Sequence, residues 1–564
     1  MPSDLDSQLN QIMDALTAPG GPLETCGHTR GSVTLPMIAG APPSLPVLFA
    51  FAAQKYGDAP FLVDGDVRLS FAETYALAQR AAAGLIARHG AVKGDRVGIA
   101  ARNSANWIIA YMGVLMAGGC ATLLNGWSTG EELAGAMAMT DCTLVLADPQ
   151  RAARIDCHAS DARMVVFDHG APETGLAAIL GEIAPLPDVT GDDLATILFT
   201  SGSTGTAKGA VSDHRGVVQG AMSYAAQTLM ALGWLTQNGE VPTLQPCTLV
   251  NVPLFHVTGE IPVLLQSFII GRKLAIMARW DPVEAMRLIE QERATYFVGV
   301  PLMSYEIATH PERDRFDLST CVTFAAGGAP RPVDHVSRIR SSFTNAFPII
   351  GYGLTETNAV GCGNFNDNYL AKPGSTGPAS RPLVEVAILD ESGAVLTGAE
   401  TGEVAIRSVA NFLGYWKNPA ATAAALRPDG FFLTGDLGYL DPDGYLFIVD
   451  RKKDIIIRGG ENIACIEVEQ AIYAHPGIAE ASVFGLPDER LGEVPVAVFL
   501  QRPGHVVNEA ELREFVAARI AAFKQPVHFW REDVPLPRLG TEKVDKRALK
   551  ARYAQGWSAA REGP

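Results

Sequence analysis

Residues 197–209 read Ile-Leu-Phe-Thr-Ser-Gly-Ser-Thr-Gly-Thr-Ala-Lys-Gly, three apolar residues that run into hydroxyls, glycines and a lysine. Thr200, Ser201, Ser203, Thr204 and Thr206 surround Gly202, Gly205 and Gly209, and Lys208 adds positive charge. Glycines let backbone N–H groups converge, hydroxyls add donors, and the ammonium attracts anions. That is the chemistry of a loop gripping a polyphosphate. A Walker loop places Gly directly before its lysine and Ser or Thr after it. Here Ala207 precedes Lys208 and Gly209 follows, so a P-loop NTPase is the weaker reading.

A chain of 564 residues is too long for one core and implies about two to four domains or subdomains. Its 48% hydrophobic and 19% charged content is that of a soluble globular protein. A net charge of −16 argues against nucleic acid as a partner, which wants a basic surface. Eight cysteines show neither a C-x-x-C pair nor metal-ligand spacing, and read as small buried residues in a reducing compartment. The acidic start Met-Pro-Ser-Asp-Leu-Asp lacks the features of a secretory signal. Residues 261–270, the most apolar stretch, are broken by Gln266 and Ser267 and reach about half a bilayer span. The expectation is a cytoplasmic protein without an integral membrane segment. Peripheral membrane contact and a homodimer stay open.

The Gly- and Pro-rich residues 1–45 read as an extended lead-in. From Pro60 the pattern is α/β. Apolar runs at 61–63 and 67–69 flank Asp64-Gly65-Asp66 as a hairpin, and Ser70 with Glu73 forms a capping box before a helix carrying Leu77, Ala81 and Leu85. Residues 97–100 read as a buried strand and 107–116 as a buried helix. Such alternation to about residue 380 implies largely parallel sheets with covering helices. After Arg381 short strands and turns suggest a β-rich subdomain, with Asp441-Pro442-Asp443-Gly444 as a hairpin turn. The charge cluster at 450–454 marks a boundary, followed by helices near 466–473 and 509–523. The expected fold is a large α/β N-terminal domain over residues 1–452 and a small α+β C-terminal domain over 453–564.

Further motifs carry chemistry. Gly351-Tyr352-Gly353-Leu354-Thr355-Glu356-Thr357 follows an apolar run, which puts it at the carboxyl edge of a sheet, where α/β proteins bind ligands. An aromatic between glycines can lie flat on a base, and a carboxylate beside hydroxyls can hold Mg²⁺. Gly327-Gly328-Ala329-Pro330, Thr434-Gly435-Asp436, His256 within Val252–Gly259, the run Asp450-Arg451-Lys452-Lys453-Asp454 and Lys543 within Pro535–Val544 complete the set. Read singly, each has a plainer explanation: a strand-to-helix turn, a turn aspartate, a core histidine, a solvated linker, a surface lysine.

In this order, over nearly the whole chain, the motifs resemble the adenylate-forming superfamily of acyl-CoA synthetases, aryl-CoA ligases, luciferases and peptide-synthetase adenylation domains. The resemblance implies that a carboxylic acid is activated by ATP and Mg²⁺ to acyl-AMP, then transferred to coenzyme A. It assigns Ser201, Gly202, Ser203, Thr204, Gly205 and Lys208 to the phosphates, and Thr200 with Glu356 to Mg²⁺. It stacks adenine on Tyr352 with Gly353 and Thr355 alongside, and borders adenine and acyl pocket with Gly327, Gly328, Ala329 and Pro330. Asp436 takes the ribose hydroxyls and Arg451 donates to ribose or phosphate. Lys543 is the adenylation lysine, although Glu542 stands where the family has Gly; Lys546 competes for the role. Lys453 is the pivot of a mobile C-terminal lid, and Gly459 and Gly460 line the path of the pantetheine arm.

His256 lines or gates the acyl pocket rather than acting as a base, since a carboxylate is already ionised at neutral pH. Relatives that activate acetate carry Trp at the position of Gly353. The glycine therefore predicts a roomy pocket extended by Val300, Gly327, Ala359, Gly361 and Cys362, and with it a medium-to-long fatty acid or a bulky aryl or alicyclic acid. A carrier-protein adenylation domain, a luciferase-like oxygenase and a non-catalytic nucleotide-binding protein are the alternatives.

Overall fold

Ser3 opens the first helix. Its hydroxyl accepts from the Asp6 amide while the Asp6 carboxylate accepts from the Ser3 amide, a reciprocal cap for Asp4–Thr17. Leu9, Ile12 and Met13 share one buried face, and the helix packs on the long helix His214–Gln237. A hairpin follows, Thr25–Arg30 paired with Val33–Ile38. The extended lead-in expected for residues 1–45 is therefore wrong. Most of the glycines and prolines that suggested it lie in connections, at 19–22 and 40–43.

A computed structural model of the chain describes residues 3–156, 162–200, 207–327, 336, 343, 346–539 and 543–557. Two large sheets form the N-terminal domain. In the seven-stranded sheet, parallel strands Arg163–Val166, Leu144–Ala147, Arg96–Ala100, Cys120–Leu123 and Leu194–Thr200 continue into antiparallel Lys208–Asp213 and Gly414–Tyr415. The eight-stranded sheet is parallel from Phe347–Gly353 through Thr323–Ala326, Tyr296–Gly299, Cys247–Val250 and Lys273–Ile276 to Pro60–Asp64. Antiparallel strands Gly361–Phe365 and Val67–Ser70 close its edges.

The hairpin at 60–70 and the Ser70–Glu73 capping box form as expected, and the helix Ala105–Met116 is buried on every side. An antiparallel sheet of Glu385–Leu389, Gly402–Arg407, Phe432–Leu440 and Leu446–Arg451 makes the β-rich subdomain. The C-terminal domain has its own sheet and its own apolar core around Val468, Ile472, Val483 and Phe499. Its helix expected over 509–523 stops at Ala517, and a short 3-10 turn, Ala522–Lys524, follows. Among the described residues no helix is long and apolar enough to cross a membrane.

Candidate active site

The carboxyl edges of the two large sheets meet at Glu356. Strand Phe347–Gly353 ends in a 3-10 turn, Thr355–Thr357, which packs against the strands that end at Thr200 and begin at Lys208. Those strands pair antiparallel with Thr200 opposite Lys208. The phosphate-loop residues Ser201, Gly202, Ser203, Thr204 and Gly205 lie outside the described residues, as do Gly328, Ala329 and Pro330.

A residue not singled out in the sequence ties this corner together. The Tyr415 hydroxyl donates to Glu356 Oε1 at 2.8 Å, and the Lys208 ammonium sits 4.4 Å from the centre of the Tyr415 ring. Glu356 is buried, and burial pushes its carboxyl above the usual range, against the opposing pull of Tyr415, Arg451 and Lys208. A carboxylate whose neighbours do not offset its burial suits a divalent cation. Glu356 is the kind of group that holds Mg²⁺, which takes one or two carboxylates while phosphates complete its shell, and the strand ending at Thr200 packs against its turn.

Beside this corner, the residues expected to hold the nucleoside come from three elements. The Tyr352 hydroxyl donates to Asp436 Oδ2 at 2.7 Å, and Arg451 Nε lies 3.0 Å from Asp436 Oδ1. Asp436 and Arg451 are register partners on neighbouring strands, which fixes that ion pair. Burial, then the Asp436 charge, drives the Tyr352 hydroxyl well above its ordinary pKa, so it remains a donor.

Lys543 joins this group from the C-terminal domain. Burial and the Arg451 guanidinium lower its pKa to about 8, against the opposing pull of Asp436 and Glu356. Lys546 points elsewhere. Its ammonium pairs with Glu469 at 2.7 Å, and Glu469, Cys465 and Asp450 outweigh burial to raise its pKa. The structure brings Lys543 and not Lys546 to Arg451, Asp436 and Glu356. Residues 540–542, including Glu542, lie outside the described residues.

At the domain junction, buried Asp450 accepts from the backbone amides of Cys465 and Ile466 and so caps the helix Cys465–Tyr473. Lys453 is exposed in the turn after Arg451. Gly459 and Gly460 form the exposed turn of the hairpin Ile456–Ile463, with φ of 61° and 91° that favour glycine.

His256 is half-buried, its ring 4.8 Å from that of Phe255, which meets Trp127 edge-on at 5.5 Å. Of the other residues expected at the acyl pocket, Cys362 is buried opposite Tyr352 and lines a large cavity, while Val300 caps the helix Pro301–Thr309. Among the described residues, only the Gly351 carbonyl comes within 4 Å of a Cβ on Gly327, at 3.7 Å. Gly353 is a correction. A Cβ there would lie 2.0 Å from the Ala359 carbonyl oxygen, so the glycine permits a close backbone approach and opens no pocket.

The AMP-binding enzyme family matches residues 49–416, more than half of the chain, and the AMP-binding enzyme C-terminal domain matches residues 467–543. The chain belongs to this adenylate-forming family. It is 32% identical to a long-chain-fatty-acid–CoA ligase of Bacillus subtilis (strain 168), over 82% of this chain and 86% of that one. It is 34% identical to a feruloyl-CoA synthase of an Amycolatopsis species, over 87% and 95%. The solved o-succinylbenzoate coenzyme A synthetase of Bacillus subtilis, in complex with ATP and magnesium ion, superposes with a TM-score of 0.78 at 27% identity, over 90% of this chain and 99% of that one. Within the family, the chain is an AMP-forming acyl-CoA synthetase by class.

Proposed function

We propose that the chain activates a carboxylic acid with a large apolar body, a medium- or long-chain fatty acid or a bulky aryl or alicyclic acid, and passes the acyl group to coenzyme A. The convergence of Lys543 with Asp436, Arg451 and Glu356 carries this reading. It sets cations from two domains around one buried carboxylate and one ribose acceptor. ATP, Mg²⁺ and coenzyme A are the partners of the reaction.

In the first step a carboxylate oxygen of the acid attacks the α-phosphorus, forming one P–O bond as the bond to pyrophosphate breaks. Lys208 and Lys543 stabilise the charge that accumulates on the phosphate oxygens. Mg²⁺, held by Glu356 and Thr200, supplies neutralisation of phosphate charge when bound. Tyr352, Asp436 and Arg451 hold the nucleoside.

In the second step the C-terminal domain, residues 453–564, turns about Lys453. Lys543 withdraws and the Gly459–Gly460 turn admits the pantetheine arm. The thiol sulfur gives up its proton to solvent and bonds to the acyl carbon, the acyl–phosphate C–O bond breaks, and AMP leaves with that electron pair. The free cysteines among the described residues support a reducing, cytoplasmic setting.

The test is a panel of acids incubated with ATP, Mg²⁺ and coenzyme A and read as pyrophosphate, AMP and thioester. Acid-dependent release of AMP with an equal amount of thioester is expected. AMP release without thioester would point to a different acceptor and overturn the proposal.

A further inference from the structure

Between the long helix His214–Gln237 and the strands around Phe347–Gly353 lies a cavity of about 1690 Å³. A pocket for a drug-sized ligand holds roughly 300–1,000 Å³. This one is larger and mostly apolar along its length.

Its beginning touches the candidate active site. Gly351, next to Tyr352, lines the cavity, and Gly327 borders Gly351. Gly351 pairs directly with Gly363 on the neighbouring strand. Among the described residues, a Cβ on Gly351 would meet nothing within 4 Å, and one on Gly363 only the Ile350 carbonyl oxygen at 3.9 Å. Two facing glycines therefore make a side-chain-free slot in the sheet surface. Neither has a positive φ, so the backbone does not call for glycine at either place.

Beyond the slot the walls turn aromatic and aliphatic. Phe347 and Phe365 line the cavity, and the ring of Trp234 meets both edge-on, at 6.5 and 6.1 Å. Trp234 Nε1 donates to Gln8 on the N-terminal helix at 2.9 Å. That helix supplies the far wall through Leu9 and Met13. It is fixed at several points: Tyr445 donates to Asp6 at 2.7 Å, Ser3 bonds Asn368 at 2.6 Å, and Arg381 pairs with Asp14 at 2.7 Å. The helix lies ahead of residue 49, where the family match begins.

We infer that the apolar body of the acid runs from Gly351 through the Gly351–Gly363 slot to the N-terminal helix, whose Leu9 and Met13 set the longest acid accepted. The inference rests on the proposed ligase function. The ligand class is an uncharged chain or fused-ring body joined to the reacting carboxylate. The slot admits it because no described side chain projects there, and the aromatic and aliphatic walls reward each added methylene.

The ratio of kcat/KM for the longest accepted acid to that for a short acid is the first readout. Gly363→Leu fills the slot and should lower the ratio by about tenfold or more, since a methylene alone is worth roughly 10-fold or more in such a pocket. Leu9→Ala lengthens the far end and should move the preferred chain length upward.

The wild-type enzyme provides a measurement that no folding defect can obscure. An accepted acid carrying a terminal diazirine should, on illumination, label the tryptic peptide that ends at Arg30 and contains Leu9 and Met13. Retained ligase activity with labelling elsewhere, or with the ratio unmoved in both variants, overturns this inference alone. A wild type that activates no acid overturns the proposed function, and this inference with it.

Discussion

The Tyr352 hydroxyl and the Asp436 carboxylate lie 2.7 Å apart, although one ends a strand of the eight-stranded sheet and the other belongs to the β-rich subdomain. With Arg451 on its other oxygen, Asp436 is held in one orientation by two partners. Pre-set acceptors bind without the cost of ordering a mobile side chain.

Replacing Asp436 with Ala should therefore act mainly on nucleotide binding. A hydrogen bond to a charged group is worth about 1.5–3 kcal/mol, which predicts an ATP KM raised on the order of 10- to 100-fold. Tyr352→Phe keeps the ring and should cost much less than Tyr352→Ala. Acid-dependent pyrophosphate release at varied ATP measures both.

Lys543 and Lys546 should separate cleanly. Lys543→Ala should lower acyl-AMP formation by about 10²–10³, the usual loss when one charge-stabilising donor is removed. Thioester formation from supplied acyl-AMP should survive. Lys546→Ala removes the cation beside Glu469, which among the described residues keeps only the Val483 amide, and should lower stability by about 1–3 kcal/mol while keeping the first half-reaction. Thermal unfolding beside half-reaction assays reads the two effects; equal loss of both half-reactions in Lys543→Ala would refute its assignment.

The lowered pKa of Lys543 has opposite signs for activity and stability. Only the ammonium form stabilises phosphate charge, so kcat/KM for adenylation should fall as pH rises through about 8. An unfolded lysine keeps its proton to about pH 10.4. Between those values the unfolded chain binds more protons, so this group's contribution to stability rises with pH. Lys543→Arg should remove the alkaline limb from the activity profile, even if its rate is lower. A limb that persists unchanged in Lys543→Arg belongs to another group.

Legibility followed locality. Asp436 and Arg451 have plainer readings taken singly, a turn aspartate and part of a solvated charge run, and only the resemblance joined them; strand register then places them side by side. Tyr415 was not legible, because only its strand's pairing with Ala210 and Val211 turns it toward Glu356. The N-terminal helix carried its own signals, Ser3 with Asp6 and the spacing of Leu9, Ile12 and Met13, but the glycines and prolines after it dominated the reading. Gly353 misled for the opposite reason. Its meaning depends on where Ala359 folds back, and no local pattern encodes that contact.

Gly353 yields a prediction that contradicts the simple pocket argument. With the Ala359 carbonyl 2.0 Å from the site of a Cβ, Gly353→Ala should destabilise the protein by roughly 1–3 kcal/mol through overpacking. Gly353→Trp should fail to fold rather than convert the enzyme to short acids. Calorimetry and soluble yield decide. A stable Gly353→Trp enzyme with activity on acetate would restore the pocket reading.

The pivot proposed at Lys453 can be tested by restricting it. Proline fixes φ and biases the residue before it away from the helical region. Lys453 follows Lys452, whose amide donates to the Gly435 carbonyl at 2.9 Å, and precedes Asp454, whose amide donates to the Arg451 carbonyl at 2.9 Å. Both donors belong to the neighbours, so Lys453→Pro deletes neither amide and strains only the short Arg451–Asp454 turn. The arrangement that brings Lys543 to the nucleoside residues should persist, and pyrophosphate release with it. Rotation to the second arrangement should suffer, so coenzyme A consumption should fall by an order of magnitude or more relative to pyrophosphate release. Following the two products separately in a single turnover distinguishes the cases. If both fall together, Lys453 is a structural residue of the junction and the turning point lies elsewhere.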